Sequence, residues 1–173
     1  TPPHLVTFLL DEVLPWDGEK TDVKTLDPSC GSGIFLVETY RRLISRWMQA
    51  NDRDDPSPDD LTKILKENIF GVDKDRNAIR IAALSLYLTM CDYLPPRDIR
   101  DKVRFEPLIN ENNGNNLFVS DFFEKDFSNA SIMENIFFRS SIVPRYRIKL
   151  LGKLYFCATS AWFLFLKIGE RPG

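Results

Sequence analysis

The heptapeptide Asp27-Pro28-Ser29-Cys30-Gly31-Ser32-Gly33 constrains this chain more than any other stretch. It stands between a short strand-like run, Val23-Lys24-Thr25-Leu26, and an amphipathic run in which Phe35, Leu36, Tyr40, Leu43, Ile44, Trp47 and Met48 recur at helical spacing. The order strand, glycine turn, helix follows. Two glycines and two small residues let the backbone turn sharply and leave N–H groups open at a helix start, a nest suited to a carboxylate or a phosphate. Glycine also favours any strand-to-helix turn, so the motif alone leaves ligand binding and plain chain reversal both open.

The same arrangement recurs along the chain. A short helix over residues 61–67 leads into the strand Ile69-Phe70-Gly71-Val72, which ends at Asp73. Residues 77–93 form a helix that is apolar on most of its circumference, as expected for one packed on a sheet, and Pro95-Pro96 stops it. After a turn cluster at 112–116, Leu117-Phe118-Val119 makes a third strand running into Ser120-Asp121-Phe122-Phe123. Ahead of these elements, Leu5, Val6, Leu9, Leu10, Val13 and Leu14 mark a first helix that ends near Pro15, with Thr1 as its N-cap. Alternating strands and helices with polar groups at the strands' carboxyl ends predict an α/β fold built on a doubly wound sheet. Beyond Phe123 neither period is clean; residues 154–168 read as an apolar, aromatic-rich segment with a buried helix at its distal end.

Composition sets outer limits. With 173 residues, 43% of them apolar, the chain has material for one core of ordinary size. A net charge of −2 and a pI near 5.5 provide no overall basic footprint, so contact with nucleic acid requires a local patch or parts not present. Cys30, Cys91 and Cys157 lie far apart without CxxC spacing, which predicts reduced thiols and a cytosolic setting. The longest apolar stretch, 154–168, contains Thr159 and Ser160 and falls short of the roughly 20 residues that cross a bilayer. The start at Thr1-Pro2-Pro3, without methionine or signal peptide, reads as that of a fragment.

Three strands each lead to an aspartate. Asp73 stands where an α/β nucleotide site accepts two ribose hydroxyls, or else Asp73 or Asp75 is an acid complementing the dipole of the next helix. Its distance from Asp27 exceeds the roughly 20 residues of a dinucleotide fingerprint, an excess that a charged insertion at 51–60 accounts for. Asp121 can accept from an exocyclic adenine amine while Phe122 offers the ring an apolar face; the alternative is a loop acid after an edge strand. Aligned, the three acids favour an adenosine-containing ligand with a carboxylate-bearing tail.

Thr-Pro-Pro before an apolar helix, then Leu-Asp-Pro-Ser-Cys-Gly-Ser-Gly-Ile-Phe-Leu, then Ile-Phe-Gly-Val-Asp-Lys-Asp followed by Ala-Ile-Arg-Ile-Ala-Ala-Leu, resembles the gamma-ordered adenine-N6 DNA methyltransferases of type I and type II restriction-modification systems. The resemblance covers residues 1–123. It implies a Rossmann-like, S-adenosylmethionine-dependent domain, incomplete at its C-terminal end, that methylates the exocyclic amine of adenine in DNA within a restriction-modification or related defence system. It divides the chain into an N-terminal cofactor-contacting helix (1–15), a cofactor-binding core (23–123) and a remnant of the catalytic-loop region (124–173). It implies that Thr1 and the loop residues Asp27, Pro28, Ser29, Cys30, Gly31 and Gly33 hold the methionyl end of S-adenosylmethionine, that Asp73 holds the ribose, with Lys74 among the binding residues, and that Asp121 and Phe122 hold the adenine. DNA is the implied partner, reached through regions mostly absent here, with specificity and restriction subunits as candidates and neither metal nor membrane required.

The family's catalytic tetrapeptide, Asn or Asp, Pro-Pro and an aromatic residue, does not occur after Asp121, where only Pro144 and Pro172 are found. Either this region has diverged, or residues are missing between Phe127 and Tyr155, and the family-like character of 160–173 favours the second. Methylation of a protein glutamine or an RNA base, and a non-catalytic S-adenosylmethionine-binding module, are the alternatives. His4, the only histidine, reads as a surface or helix-start residue, with no metal site to assemble around it. Cys30 reads as a small loop residue without a base to activate it. Arg139, Arg145, Arg147, Lys149 and Lys153, interleaved with Tyr146 and Tyr155, read as a solvated face ahead of a phosphate-binding one, and Trp162-Phe163-Phe165 as core.

Overall fold

The computed structural model describes residues 1–112 and 115–122, and the backbone of two short strands at 155–157 and 161–163. Its centre is a parallel sheet of β1 (Thr25–Asp27), β2 (Ile69–Asp73) and β3 (Leu117–Val119), in that order. Asp27 pairs with Gly71, and Asp73 with Val119, so the three carboxyl ends share one edge. Parallel neighbours need a crossover, commonly helical. Between β1 and β2 run α2 (Ile34–Asn51) and α3 (Pro58–Asn68), and between β2 and β3 run α4 (Arg76–Cys91) and α5 (Pro96–Asp101); α1 (Pro3–Val13) precedes them all.

The core follows from the periodic residues. Leu36, Tyr40, Leu43 and Ile44 of α2 meet Ile79, Ala82, Leu86 and Met90 of α4 over Ile69 and Leu117 of the sheet. Burying each large apolar side chain of this kind stabilises the fold by about 1.5–3 kcal/mol. The alternate strand residues Leu26, Phe70 and Phe118 are buried too, as expected of a parallel sheet with both faces covered. Against α2 rests α1, through Val6, Leu10 and Phe35.

Several expectations need correction. The N-cap of α1 is Pro2, with Pro3 as its first residue, and Thr1 lies exposed outside the helix. Prolines preset the helical φ and need no side-chain oxygen to start the turn. β1 is a residue or two shorter at its start than the apolar run. α3 begins at Pro58, because Ser57 and Asp60 form a reciprocal capping box that pulls part of the charged insertion into the helix. On α4, Ile81, Leu84 and Leu88 are exposed: α2 and the sheet cover only part of a cylinder that is apolar nearly all round. In the distal apolar segment, β5 (Ala161–Phe163) pairs antiparallel with β4 (Tyr155–Cys157) where a helix was expected. A short apolar run carries no period that separates the two, and pairing with a neighbouring strand decides it. The basic residues from Arg139 to Lys153, Phe165 and all other residues from 123 to 173 except those of β4 and β5 lie outside the described residues.

Candidate ligand-binding site

The turn after β1 is built by its glycines. Gly31 and Gly33 have φ of +53° and +85°, in the left-handed region that side chains disfavour. A Cβ on Gly33 would stand 2.9 Å from the Cβ of Ala82 and 3.1 Å from its Cα, so α4 can pack on the turn only if this residue has no side chain. Among the described residues, a Cβ on Gly31 would meet no atom within 4 Å. The Cys30 N–H donates to the Val72 carbonyl at 2.9 Å, tying the turn to β2, and the Gly33 N–H closes it on the Cys30 carbonyl at 2.9 Å.

Two carboxylates sit at this edge. Asp27 is 5% exposed and accepts from the Ser29 N–H at 3.1 Å. Burial pushes its pKa up to about 7, against the Ser29 N–H, which favours the ionised form, and with a smaller contribution from the charge of Asp73. Asp73 bridges two loops: one oxygen accepts from the Gly31 N–H at 2.8 Å and the other from the Asp75 N–H at 2.9 Å. A carboxylate has about four acceptor sites, so half of this one's capacity is used. The helix-capping role falls to Asp75, which accepts from the Asn77 N–H at 2.8 Å. Asp75 is thus the acid that caps α4, while Asp73 stands two residues ahead of that cap and also reaches across to the turn after β1. The Ser120 N–H donates to the Asp73 carbonyl at 2.9 Å and brings the end of β3 to the same edge, with exposed Asp121 and half-buried Phe122 following directly.

The start of α2 differs from those of α3 and α4. Its N-cap is Gly33, which offers no side chain to the first-turn N–H groups, whereas Ser57 caps α3 and Asp75 caps α4. A helix start at the positive end of its dipole, without a side-chain cap as here, favours an anionic group. Together, this edge can hold a carboxylate at α2 and accept hydroxyl hydrogen bonds at Asp73. Cys30 is buried, and its thiol is pushed well up, first by burial and then by Asp27 and Asp73, so it offers no thiolate.

Not every expected residue joins this cluster. Thr1 and Lys74 are exposed, and among the described residues neither hydrogen-bonds to the turn. Pro28 is buried beside Asp27, while Ser29 is exposed. Among the described residues no group of His, Cys, Asp and Glu is arranged to hold a metal ion, and no helix is long and apolar enough to cross a membrane. A groove of about 350 Å³ between α2 and α4 includes Ser32 and Ile34 but none of the three aspartates; it reflects helix packing and is not the strand-end site.

Sequence reading passed over three buried polar residues. Asn116 donates through its side-chain amide to the carbonyls of Leu65, Lys66 and Ile69, fastening α3 and β2 to β3. Arg42 and Arg46 of α2 are 0% and 5% exposed and bind backbone carbonyls after α1. Their i, i+4 spacing, with Glu38 a further turn back, was the available signal, although charged residues at that spacing more often face solvent.

Comparison with known proteins gives two results. The family model described as MmeI, DNA-methyltransferase domain, matches residues 18–116. Over 79 residues the chain is 33% identical to the adenine-specific methyltransferase BrxX of Escherichia coli O9:H4 (strain HS), an alignment that takes in 46% of this chain and 6% of that protein. The chain thus spans a small part of the relative's length.

Proposed function

Because the chain belongs to the MmeI DNA-methyltransferase domain family, we propose that it binds S-adenosylmethionine at the carboxyl ends of β1, β2 and β3 and serves methyl transfer to the exocyclic amine of adenine in DNA. The observation that carries the reading is the uncapped start of α2 beside Asp73, an anion site next to a hydroxyl acceptor. S-adenosylmethionine supplies an electrophilic methyl group on a sulfonium centre. Asp27, Pro28, Ser29, Cys30, Gly31 and Gly33 enclose the methionyl end, with Thr1 closing from α1. Asp73, beside Lys74, exchanges its Gly31 contact for the ribose hydroxyls, and Asp121 and Phe122 take the adenine. Alignment of donor and acceptor is the protein's main contribution to such a transfer, which needs no metal.

The acceptor rests on the family and on the adenine specificity named for the relative; no feature of the described residues favours a glutamine, an RNA base or a purely structural role. The whole fold is read as a Rossmann-like, doubly wound sheet of which β1, β2 and β3 are one half, and a DNA substrate implies a cytoplasmic setting. Specificity and restriction subunits remain candidate partners.

Titration calorimetry with S-adenosylmethionine tests the donor site: the protein is expected to bind it, and Asp73→Ala to weaken binding at least tenfold, about 1.5–3 kcal/mol for a hydrogen-bonded charge. No heat from a folded protein, or affinity indifferent to that substitution, would overturn the reading. Incubation of the intact protein with labelled donor and DNA, followed by nucleoside analysis, tests the acceptor: label is expected in N6-methyladenine.

A further inference from the structure

The fully buried guanidinium of Arg42 is costly to hide and is not at the strand-end site, yet it is surrounded with partners. It donates to the Leu14 carbonyl at 2.9 Å and the Thr7 carbonyl at 3.4 Å, pairs with Asp11 at 2.8 Å and Glu38 at 3.5 Å, and lies 5.0 Å from the ring centroid of Trp16. One turn further along α2, Arg46 donates to the carbonyls of Pro15 and Lys20. The two arginines bind the second half of α1 from Thr7 onward and the chain leaving it, and none of their partners among the described residues lies in β1, β2 or β3. A buried charge with fixed planar donors holds a backbone in one position far more specifically than apolar packing does.

The direction of α1 gives that grip a consequence. Its C-terminal turn is at Arg42, while Val6 and Leu10 pack with Phe35 in the first turn of α2, directly after the glycine turn. The two helices therefore share a general direction, with Val6 near the start of α2 and Leu14 two turns along it. At about 1.5 Å per residue, the few residues ahead of Val6 continue from its contact with Phe35, the second residue of α2 after the glycine turn. Shifting the gripped end shifts Thr1, Pro2 and Pro3 with it, because an α-helix of 11 residues moves as a rod.

We propose that Arg42 and Arg46 are positioning residues for the donor site, setting the register of α1 on α2 so that the Thr1–Pro3 segment closes over the amino-acid arm of the bound donor. This inference rests on the donor-site reading above. It assigns the arginines an effect on one part of the ligand only, since the adenosine part is held by β2 and β3, which they do not touch.

The test compares two ligands on the intact protein by calorimetry: S-adenosylmethionine, and 5′-methylthioadenosine, which lacks the amino-acid arm. Arg42→Lys keeps the charge and loses the fork. Asp11→Asn removes one partner whose side chain is half exposed, and it serves where Arg42→Lys does not fold. Each variant is expected to weaken S-adenosylmethionine on the order of tenfold, the usual scale for losing a supporting contact behind a binding group, and to leave 5′-methylthioadenosine within twofold. Equal weakening of both ligands, or no change in either, overturns the proposal, because a merely structural role does not discriminate between them. If the unsubstituted protein binds neither ligand, the donor-site reading itself has failed; if it binds both and Asp11→Asn changes neither, only the positioning role has.

Discussion

Two consecutive helices of this protein start in opposite ways. α3 is closed by its own sequence: Ser57 accepts from the Asp60 N–H at 3.2 Å, and the Asp60 carboxylate accepts in return from the Ser57 N–H at 3.0 Å. α2 begins on Gly33, with no side-chain cap, against a buried acid. A helix start without a side-chain cap forfeits about 1 kcal/mol of stability and leaves its first-turn N–H groups to water, backbone or a ligand. On the proposed donor-site reading, the first start serves the fold alone and the second also receives the ligand's carboxylate.

The buried acid gives the largest effect. An acid whose folded pKa is raised holds its proton more tightly folded than unfolded, so stability is greatest below the ordinary value and falls as pH rises towards the folded one. With Asp27 pushed from 3.8 to about 7, the fold is expected to lose roughly 4 kcal/mol between about pH 4 and pH 7 on this account. Asp27→Asn should lose that part of the slope, and urea unfolding at several pH values, compared between the two proteins, measures it. Parallel pH profiles would mean that the acid at the start of α2 is no more buried than Asp60 at the start of α3.

Next comes the glycine. Gly33→Ala forces a side chain into the left-handed region and against Ala82, and should cost about 3 kcal/mol from backbone strain and overpacking together. Thermal unfolding reads it, and donor binding should fall with it. A variant of unchanged stability would show that α2 could have carried an ordinary cap. Ser57→Ala is the smallest change and the converse one: about 1 kcal/mol of stability lost with the capping box, and affinity for S-adenosylmethionine unaltered. Altered affinity would erase the distinction between the two helix starts.

Much of the cluster was legible because it is local. Residues 27–33 declare a strand-to-helix turn through glycine alone, and Asp73 and Asp121 follow apolar strand runs whose length fixes where they end. Arg42, Arg46 and Asn116 were not legible, because a polar residue is solvated or buried according to what packs on it, and their partners lie 26 to 51 residues away. Thr1 was misread as a cap because Thr is a good N-cap by itself, and two following prolines moved the helix start. The exposed apolar stripe of α4 and the strand at Ala161–Phe163 failed for one reason: composition shows that a segment is apolar, but coverage by neighbours decides which side is buried and which backbone form it takes.

The sequence by itself determined the turn, the order of strands and helices, and the placement of an acid at or just beyond the end of each of three strands, since these depend on φ preferences and on periods of two and 3.6 residues. Only the tertiary structure decided that the heptapeptide leads into a helix without a side-chain cap, that Asp73 bridges to Gly31 while Asp75 does the capping, and that Asp27 is buried enough to hold a proton near neutral pH. Those properties come from parallel pairing and from the packing of α4 on the turn, which bring together residues more than 40 positions apart and bury one carboxylate while leaving the other partly exposed.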